Sequence, residues 1–573
     1  MRVVGNPSAG KRVFIVGAVL MALYLLFPVG ASHASTVPSA STTSEQATAG
    51  PSDQSTSDQI QTKADSPLPN YVPRSSAPGS FYFVRGGSLN VEVATLEGIA
   101  ARTRPQIFLG SSSGDQFWLN FSVHQYGLKY TTISETQALQ QFKSLVTDSN
   151  GNVKIILYSA KDPISPAQYD IARTLAGVYN ALPVSSSELS ALQNVYGAAK
   201  IKTLYNLQGM FTDKITAYNW AWNLVGSQVT RAFVTTSPSG DMGLTDYAVQ
   251  HQSFIFEYEL AKAMSSSETN AATKILSNYP EGTPVLGFFG FGPETQTIDF
   301  LSGLGLFMIS CDGASDLSFY SGLPEATNLK QVPAAPITYS SGKTYIAIQY
   351  SQGNSLGHLF GMNFGFWTQT DSQHTPIRDE VPESWQINPV TAELAPPIME
   401  YYYQTMSADD YFLSSSSGGA GYVHPDQLPN LNAYLGIANQ FDNNANLFDW
   451  VIVPGDGRSL QTSVYQQIAS ATSVQAIFTK LVNSQSPTEV SGVPIFTMTL
   501  KIQQTTWSQS FVTSTVNSLT SLSKSNQFIW IFMANANPGQ DFLLALKKAL
   551  PANFVLVRSD QFTSLYEQYL KTK

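Results

Sequence analysis

The stretch "GNVKIILYSAKDPISPAQYDIARTLAGVYNAL", Gly151 to Leu182, decides the fold class. Its first ten residues carry an apolar run of strand length, bounded by glycine on one side and a polar loop on the other. Pro166 then opens a segment with Ile171, Leu175 and Val178 spaced three or four apart, the period of one helix face. A strand followed at once by a helix is a βα unit, and the alternation returns along the chain. "TPVLGFFG" precedes "PETQTIDFLSGLG", and "KTYIAIQYSQGN", "FDWVIVPGD", "VPIFTMTL", "QFIWIFMAN" and "NFVLVRSD" follow, most with a helical segment between. Such alternation implies an α/β protein with parallel sheets or a barrel, and polar residues gathered at the C-terminal ends of the strands.

At 573 residues the chain exceeds the size at which one core stops growing, so two to four domains are expected. Charged residues make up only 12%, about half the usual share, so the surface must be polar but largely uncharged. The Ser- and Thr-rich stretch Gln504 to Phe528 has that character. A surface of this kind suits the outside of a cell and tolerates acid. The formal net charge of −9 and the absence of a Lys/Arg cluster argue against nucleic acid as partner. The one cysteine, Cys311, excludes an intrachain disulfide and a Cys-based metal site. The six histidines have no HxH or HExxH spacing, and no phosphate loop or GxSxG elbow is present, so no metal and no cofactor is expected.

Lys11 and Arg12 precede the apolar run Val13 to Phe27, and Ser32-His33-Ala34 offers small residues for a signal peptidase. The run is shorter than the roughly 20 residues of a comfortable membrane span. Residues 1–34 therefore read as a secretory signal, with an uncleaved anchor as the alternative, and the chain as secreted or held at the cell surface. Residues 35–80, rich in Ser, Thr and Pro, read as a flexible linker.

After the run "SSSS" comes "GGAGYVHPDQLPN", Gly418 to Asn430. Gly419, Gly421 and Pro425 fit an ordered surface turn. They also fit a rigid loop that presents Tyr422 and His424 to a ligand. Within it, "GAGYVHP" resembles the signature of the GxGYxYP glycoside hydrolase family, with His424 where the family usually has Tyr. "VATLEGIAARTRPQIFLGSSSGDQFWL" (Val93 to Leu119), "IARTLAGVYNALPVS", "DMGLTDY" (Asp241 to Tyr247), "PVLGFFGFGPE", Val381 to Ser414 and "VLVRSDQF" resemble its other segments in the same order. The resemblance implies several small N-terminal α/β units, at 81–160, 161–235 and 236–338, followed by a barrel-like (β/α) domain at 339–573. It also implies a poly- or oligosaccharide substrate. One departure stands out: where the family carries a "DGDN" loop, this chain reads "YSQGNSL", with Gln352 and Asn354 in place of acids. Amides cannot take up a proton at working pH, so the alternative is a surface protein that binds glycan without cleaving it.

Hydrolysis of a glycosidic bond calls for two carboxyl groups flanking it. Glu294, Asp312, Glu400, Asp409 and Asp456 are the catalytic candidates, each beside a Gly, Pro or aromatic residue near a strand end or in a loop; Asp299 and Asp410 share that setting. Each also has a plain structural reading: Glu294 as a first-turn helix acid, Asp312 and Asp456 as turn residues, Asp409 as a helix cap. Gly419, Gly421, Tyr422, His424, Trp385 and Asn354 are the candidate sugar contacts, since amides and hydroxyls bond sugar oxygens and aromatic faces stack on sugar C–H surfaces. For Trp385 and its neighbours Trp367 and Tyr401 to Tyr403, burial in a core is the competing reading.

Overall fold

The computed structural model describes residues 68, 79–110, 113–237, 242–262, 264–289, 293–370, 376–415, 419–455, 458–482, 487–504, 506–534 and 538–573. All lie in the compact unit Thr56–Lys573. The expected signal segment, most of the linker and the candidate Asp456 fall outside them. Among the described residues no helix is long and apolar enough to cross a membrane.

Three small parallel sheets come first. β1 (Ser80–Arg85), β2 (Ile107–Gly110) and β3 (Lys129–Ser134) stand in the order β2-β1-β3. β4 (Val153–Tyr158), β5 (Leu182–Ser185) and β6 (Ile201–Asn206) stand as β5-β4-β6. The deciding stretch thus forms β4 and the helix Ser165–Tyr179, with Pro166 in its first turn and Asn180 closing it in the left-handed region at φ 50°. Because β4 pairs with strands that follow it, the first unit ends before Val153 by sheet membership, not at residue 160. β7 (Val234–Thr236), β8 (Ile255–Phe256), β9 (Pro284–Gly287) and β10 (Phe307–Ser310) form the third sheet in the order β10-β9-β7-β8.

Arg102, at the end of helix Asn90–Ala101, ties these units together. Its guanidinium donates to the carbonyls of Gly177 (2.7 Å), Gln250 (3.0 Å) and Val249 and to the amide oxygen of Asn180. Arg102→Ala strips four acceptors of their donor and is expected to cost about 2–4 kcal/mol in urea unfolding. An unchanged midpoint would show that the units hold without it.

Buried acids gather where the first and third units meet. Glu97, Asp246 and Asp316 are each at most 3% exposed. Burial pushes all three carboxyl groups upward, Asp246 to about 6, although backbone donors such as Ser318 N–H pull it back. Between about 4, its unfolded value, and about 6, the folded protein holds a proton on Asp246 that the unfolded chain has lost. Stability from this group therefore falls as pH rises through that window. The wild type should gain on Asp246→Asn as pH drops from 7.5 to 4.5, read as the difference in thermal midpoint; a difference independent of pH would contradict the burial argument.

The C-terminal domain is one large sheet. Its strands are β11 (Thr344–Gly353), β12 (Glu383–Ile387), β13 (Asp410–Ser414), β14 (Asp449–Ile452), β15 (Ala476–Val482), β16 (Thr488–Val490), β17 (Val493–Met498), β18 (Leu500–Ile502), β19 (Phe528–Met533) and β20 (Phe554–Val557). The order is β16-β17-β15-β14-β13-β12-β11-β19-β18, with β20 also on β11, and only the β16–β17 pair is antiparallel. The sheet curls until nearly closed: Val493–Met498 pairs with β15, and the residues directly after it pair with β19. Thr499 completes the seam, its N–H donating to the Trp530 carbonyl at 3.2 Å.

Alternation sorts the strand residues to two faces. Ile346, Ile348, Trp385, Ile387, Phe412, Ile529 and Ile531 pack outward under the helices. Tyr345, Ala347, Tyr411, Leu413, Val451, Phe478, Phe496, Trp530 and Phe532 point inward, where Phe562, Leu565 and Tyr566 of helix Ser559–Leu570 join them. Among the described residues the inner side of the curled sheet is thus packed with side chains.

Candidate functional site

The C-terminal ends of the parallel strands form the rim, and the third unit leans on it. Helix Glu294–Gly303, which follows β9, turns its acids toward the barrel loops. Asp299 Oδ1 meets the guanidinium of Arg458, in the loop after β14, and lies 2.6 Å from His424 Nδ1. Arg458 reaches on to Asp426 at 3.2 Å. Burial draws the Asp299 carboxyl upward, but the hydrogen bonds from Arg458 and His424 outweigh it and hold the group below its usual value, ionised. Burial lowers His424, which keeps its ring neutral, and its Nε2 has no partner among the described residues.

The loop after β13 is a clasp. Tyr422 N–H donates to the Met308 carbonyl (2.6 Å) and Met308 N–H to the Tyr422 carbonyl (3.0 Å), which extends the third sheet beyond its edge strand β10. Gly421 makes that approach possible, since a Cβ there would sit 2.4 Å from the Met308 oxygen. Gly419 has φ +99°, and a Cβ would stand 2.7 Å from that of Ala438. Tyr434 OH donates to the Gly421 carbonyl at 2.9 Å, and His424 N–H donates to Ser302 Oγ at 3.0 Å. Tyr422 and His424 are both buried. The glycines thus serve close packing between two domains, and the loop's ring atoms face protein.

Asp312, after β10, accepts from Ser355 Oγ at 2.7 Å, and its carbonyl lies where a side chain on Gly357 would clash, so the loops after β10 and β11 are locked together. Half-buried Asn354 stands beside them, its carbonyl accepting from Asn388 Nδ2 at 3.3 Å. Exposed Glu294 lies close enough to Lys480 on β15 to favour its charge.

Other candidates lie elsewhere. Buried Glu400 accepts from Gln125 Nε2 (2.9 Å), Tyr126 OH (2.9 Å) and Thr327 N–H (3.0 Å), a strap between the first unit and the barrel. Asp409 sits where β13 begins, at the edge opposite the rim, its carboxyl raised by burial. Trp385 is 1% exposed and stacks on Tyr350 at 4.5 Å, while its indole N–H donates to Asp410, so it belongs to the core.

Sequence reasoning missed Lys480. It lies inside the apolar strand "AIFTKLV", and the alternation Ala476, Phe478, Lys480 was the signal that it faces inward. Its ammonium rests 4.5 Å from the Phe532 ring centroid. Burial, with Lys501 nearby, brings its pKa down to about 8 against the opposing pull of Glu294.

Three family models match the chain: "GxGYxYP_N 1st domain" over residues 89–144, "GxGYxYP third domain" over 230–322 and "GxGYxYP putative glycoside hydrolase C-terminal domain" over 342–567. A solved structure described as "a putative hydrolase from Bacteroides thetaiotaomicron VPI-5482" is similar in fold, with a TM-score of 0.73 at 20% identity, covering 87% of this chain and 97% of that one. No curated protein matches. The three matches run in the order of the units just described and include the clasp loop within the last of them, and on that ground the chain belongs to the GxGYxYP family.

Proposed function

We propose that the protein is a carbohydrate-active enzyme that hydrolyses a poly- or oligosaccharide laid between helix Glu294–Gly303 and the rim of the barrel. The observation that carries this reading is the pair of acids on that helix, Glu294 beside Lys480 and Asp299 beside Arg458. Glu294, exposed at the rim, donates the proton to the glycosidic oxygen as the C–O bond breaks, and takes a proton from the water that then adds to the sugar. Asp299, kept ionised by Arg458 and His424, supplies the second carboxylate that stabilises positive charge developing on the sugar ring. The family's glycoside hydrolase description supports the substrate class. The apolar run Val13 to Phe27 supports action outside the cell or at its surface.

Incubation of the mature chain with a broad glycan panel, scored for binding and for released sugar, tests the reading. Release from a bound glycan is expected. Binding without release favours the second reading, a glycan-binding surface protein, which Gln352 and Asn354 in place of acids support. Gaining release with Gln352→Asp and Asn354→Asp together would strengthen that second reading.

A further inference from the structure

Lys480 carries a charge that Phe532 and Glu294 act on but that no described residue hydrogen-bonds. Its side chain is half-buried on the inner side of β15, against Phe532, and its ammonium makes no hydrogen bond to any described residue. Its inner-face neighbours on the central strands are uncharged. Gln349, on β11, pairs in register with Phe532 on β19 and Ser384 on β12, and Gln386 lies two residues beyond Ser384. Both glutamines are fully buried, and Gln349 Oε1 and both polar atoms of the Gln386 amide lack partners among the described residues. Among the described residues no arginine or carboxylate from the barrel strands acts on Lys480; Glu294 acts on it from the helix after β9, and Lys501 on β18 adds a second positive charge.

Drawing an ammonium out of water costs free energy unless an anion or several acceptors replace the lost hydration. The depressed pKa of Lys480, about 8, is that cost made visible, yet the group remains mostly charged at neutral pH. An ammonium with no hydrogen-bond partner among the described residues, and a second cation, Lys501, nearby, is complementary to a ligand that brings its own negative charge.

We propose that the sugar taken at this rim is acidic and that Lys480 binds its anionic group, a uronic carboxylate or a sulfate ester, through a charge-assisted hydrogen bond; this rests on the carbohydrate reading above. A singly charged group fits better than a phosphate monoester, because Glu294, near enough to act on Lys480, repels added negative charge. Lys480 is in this sense a specificity residue, selecting acidic over neutral chains of the same linkage.

Two measurements test it. In the first, native uronate and sulfated glycans are presented beside their carboxyl-reduced and desulfated forms, and each pair is measured with wild type, Lys480→Met and Lys480→Arg. The wild type should bind the anionic member at least about tenfold more tightly. Lys480→Met should level the pair, and Lys480→Arg should restore much of the preference. Which pair responds distinguishes carboxylate from sulfate. Equal binding of anionic and neutral members overturns the inference while leaving the carbohydrate reading intact; binding of neither overturns both.

The second measurement needs no knowledge of the glycan. Acetic anhydride labelling, followed at Lys480 by peptide mass spectrometry, should be slowed by D-glucuronate or glucose 6-sulfate and not by D-glucose. Equal labelling in all three sugars speaks against the proposal even if every lysine variant fails to fold.

Discussion

Glu294→Gln is expected to slow sugar release by a factor of about 10² to 10⁴ while leaving glycan binding within a few-fold. Glutamine keeps the shape and the hydrogen-bonding capacity of the side chain but cannot exchange a proton. Exposed on the first turn of its helix, Glu294 makes no side-chain hydrogen bond to another described residue. A loss of release with binding retained therefore isolates proton transfer. Asp312→Asn is the comparison: Asp312 holds Ser355 and so the loop after β11, and its loss should weaken binding and release together. Unchanged release by Glu294→Gln would remove this residue from the mechanism and return attention to the other acids.

Gly421→Ala should be strongly destabilising through one added methyl. The added carbon would sit 2.4 Å from the Met308 carbonyl and 2.7 Å from the Phe307 ring, inside contact distance for both. The Tyr422–Met308 bridge must then open, and with it the seating of His424 on Ser302 and Asp299. A loss of about 2–4 kcal/mol is expected in denaturant unfolding. Release should fall as well, because the helix carrying Glu294 and Asp299 is positioned through this contact. Gly436→Ala, on the neighbouring helix where a Cβ has open space, should be neutral by both measures. Equal stability of the Gly421 and Gly436 variants would mean that the clasp contributes nothing.

The βα alternation that began with Gly151 to Leu182 was legible because strand and helix periods are local properties of the chain. The break between the first and second units was not, because it depends on which strands β4 pairs with, and both partners come later. The signature loop could be read as ordered from its glycines and proline. Its docking partner could not, since Met308 lies more than a hundred residues away and nothing local in "GAGYVHP" specifies an edge strand. Glu400 looked like an available acid among tyrosines; its donors Gln125 and Tyr126 are some 275 positions distant, and only tertiary contact reveals that it is occupied. Lys480 was hidden for the opposite reason: a single cation in an apolar strand reads as a surface break, and its inward aim follows only once the barrel's two faces are known.

The central strand of the barrel, β11, is the first of its domain, yet it pairs with β19 and β20, which come from the last fifty residues of the chain. During synthesis the three small sheets, whose strands are near neighbours in sequence, can form as they emerge. The barrel cannot: until residue 557 has left the ribosome, Thr344–Ala347 of β11 lack their partner on one side, and Ile346 lacks part of its shelter. A chain cut short by its final helix and strand would thus be released with these four positions of its central strand open to pairing with its own kind.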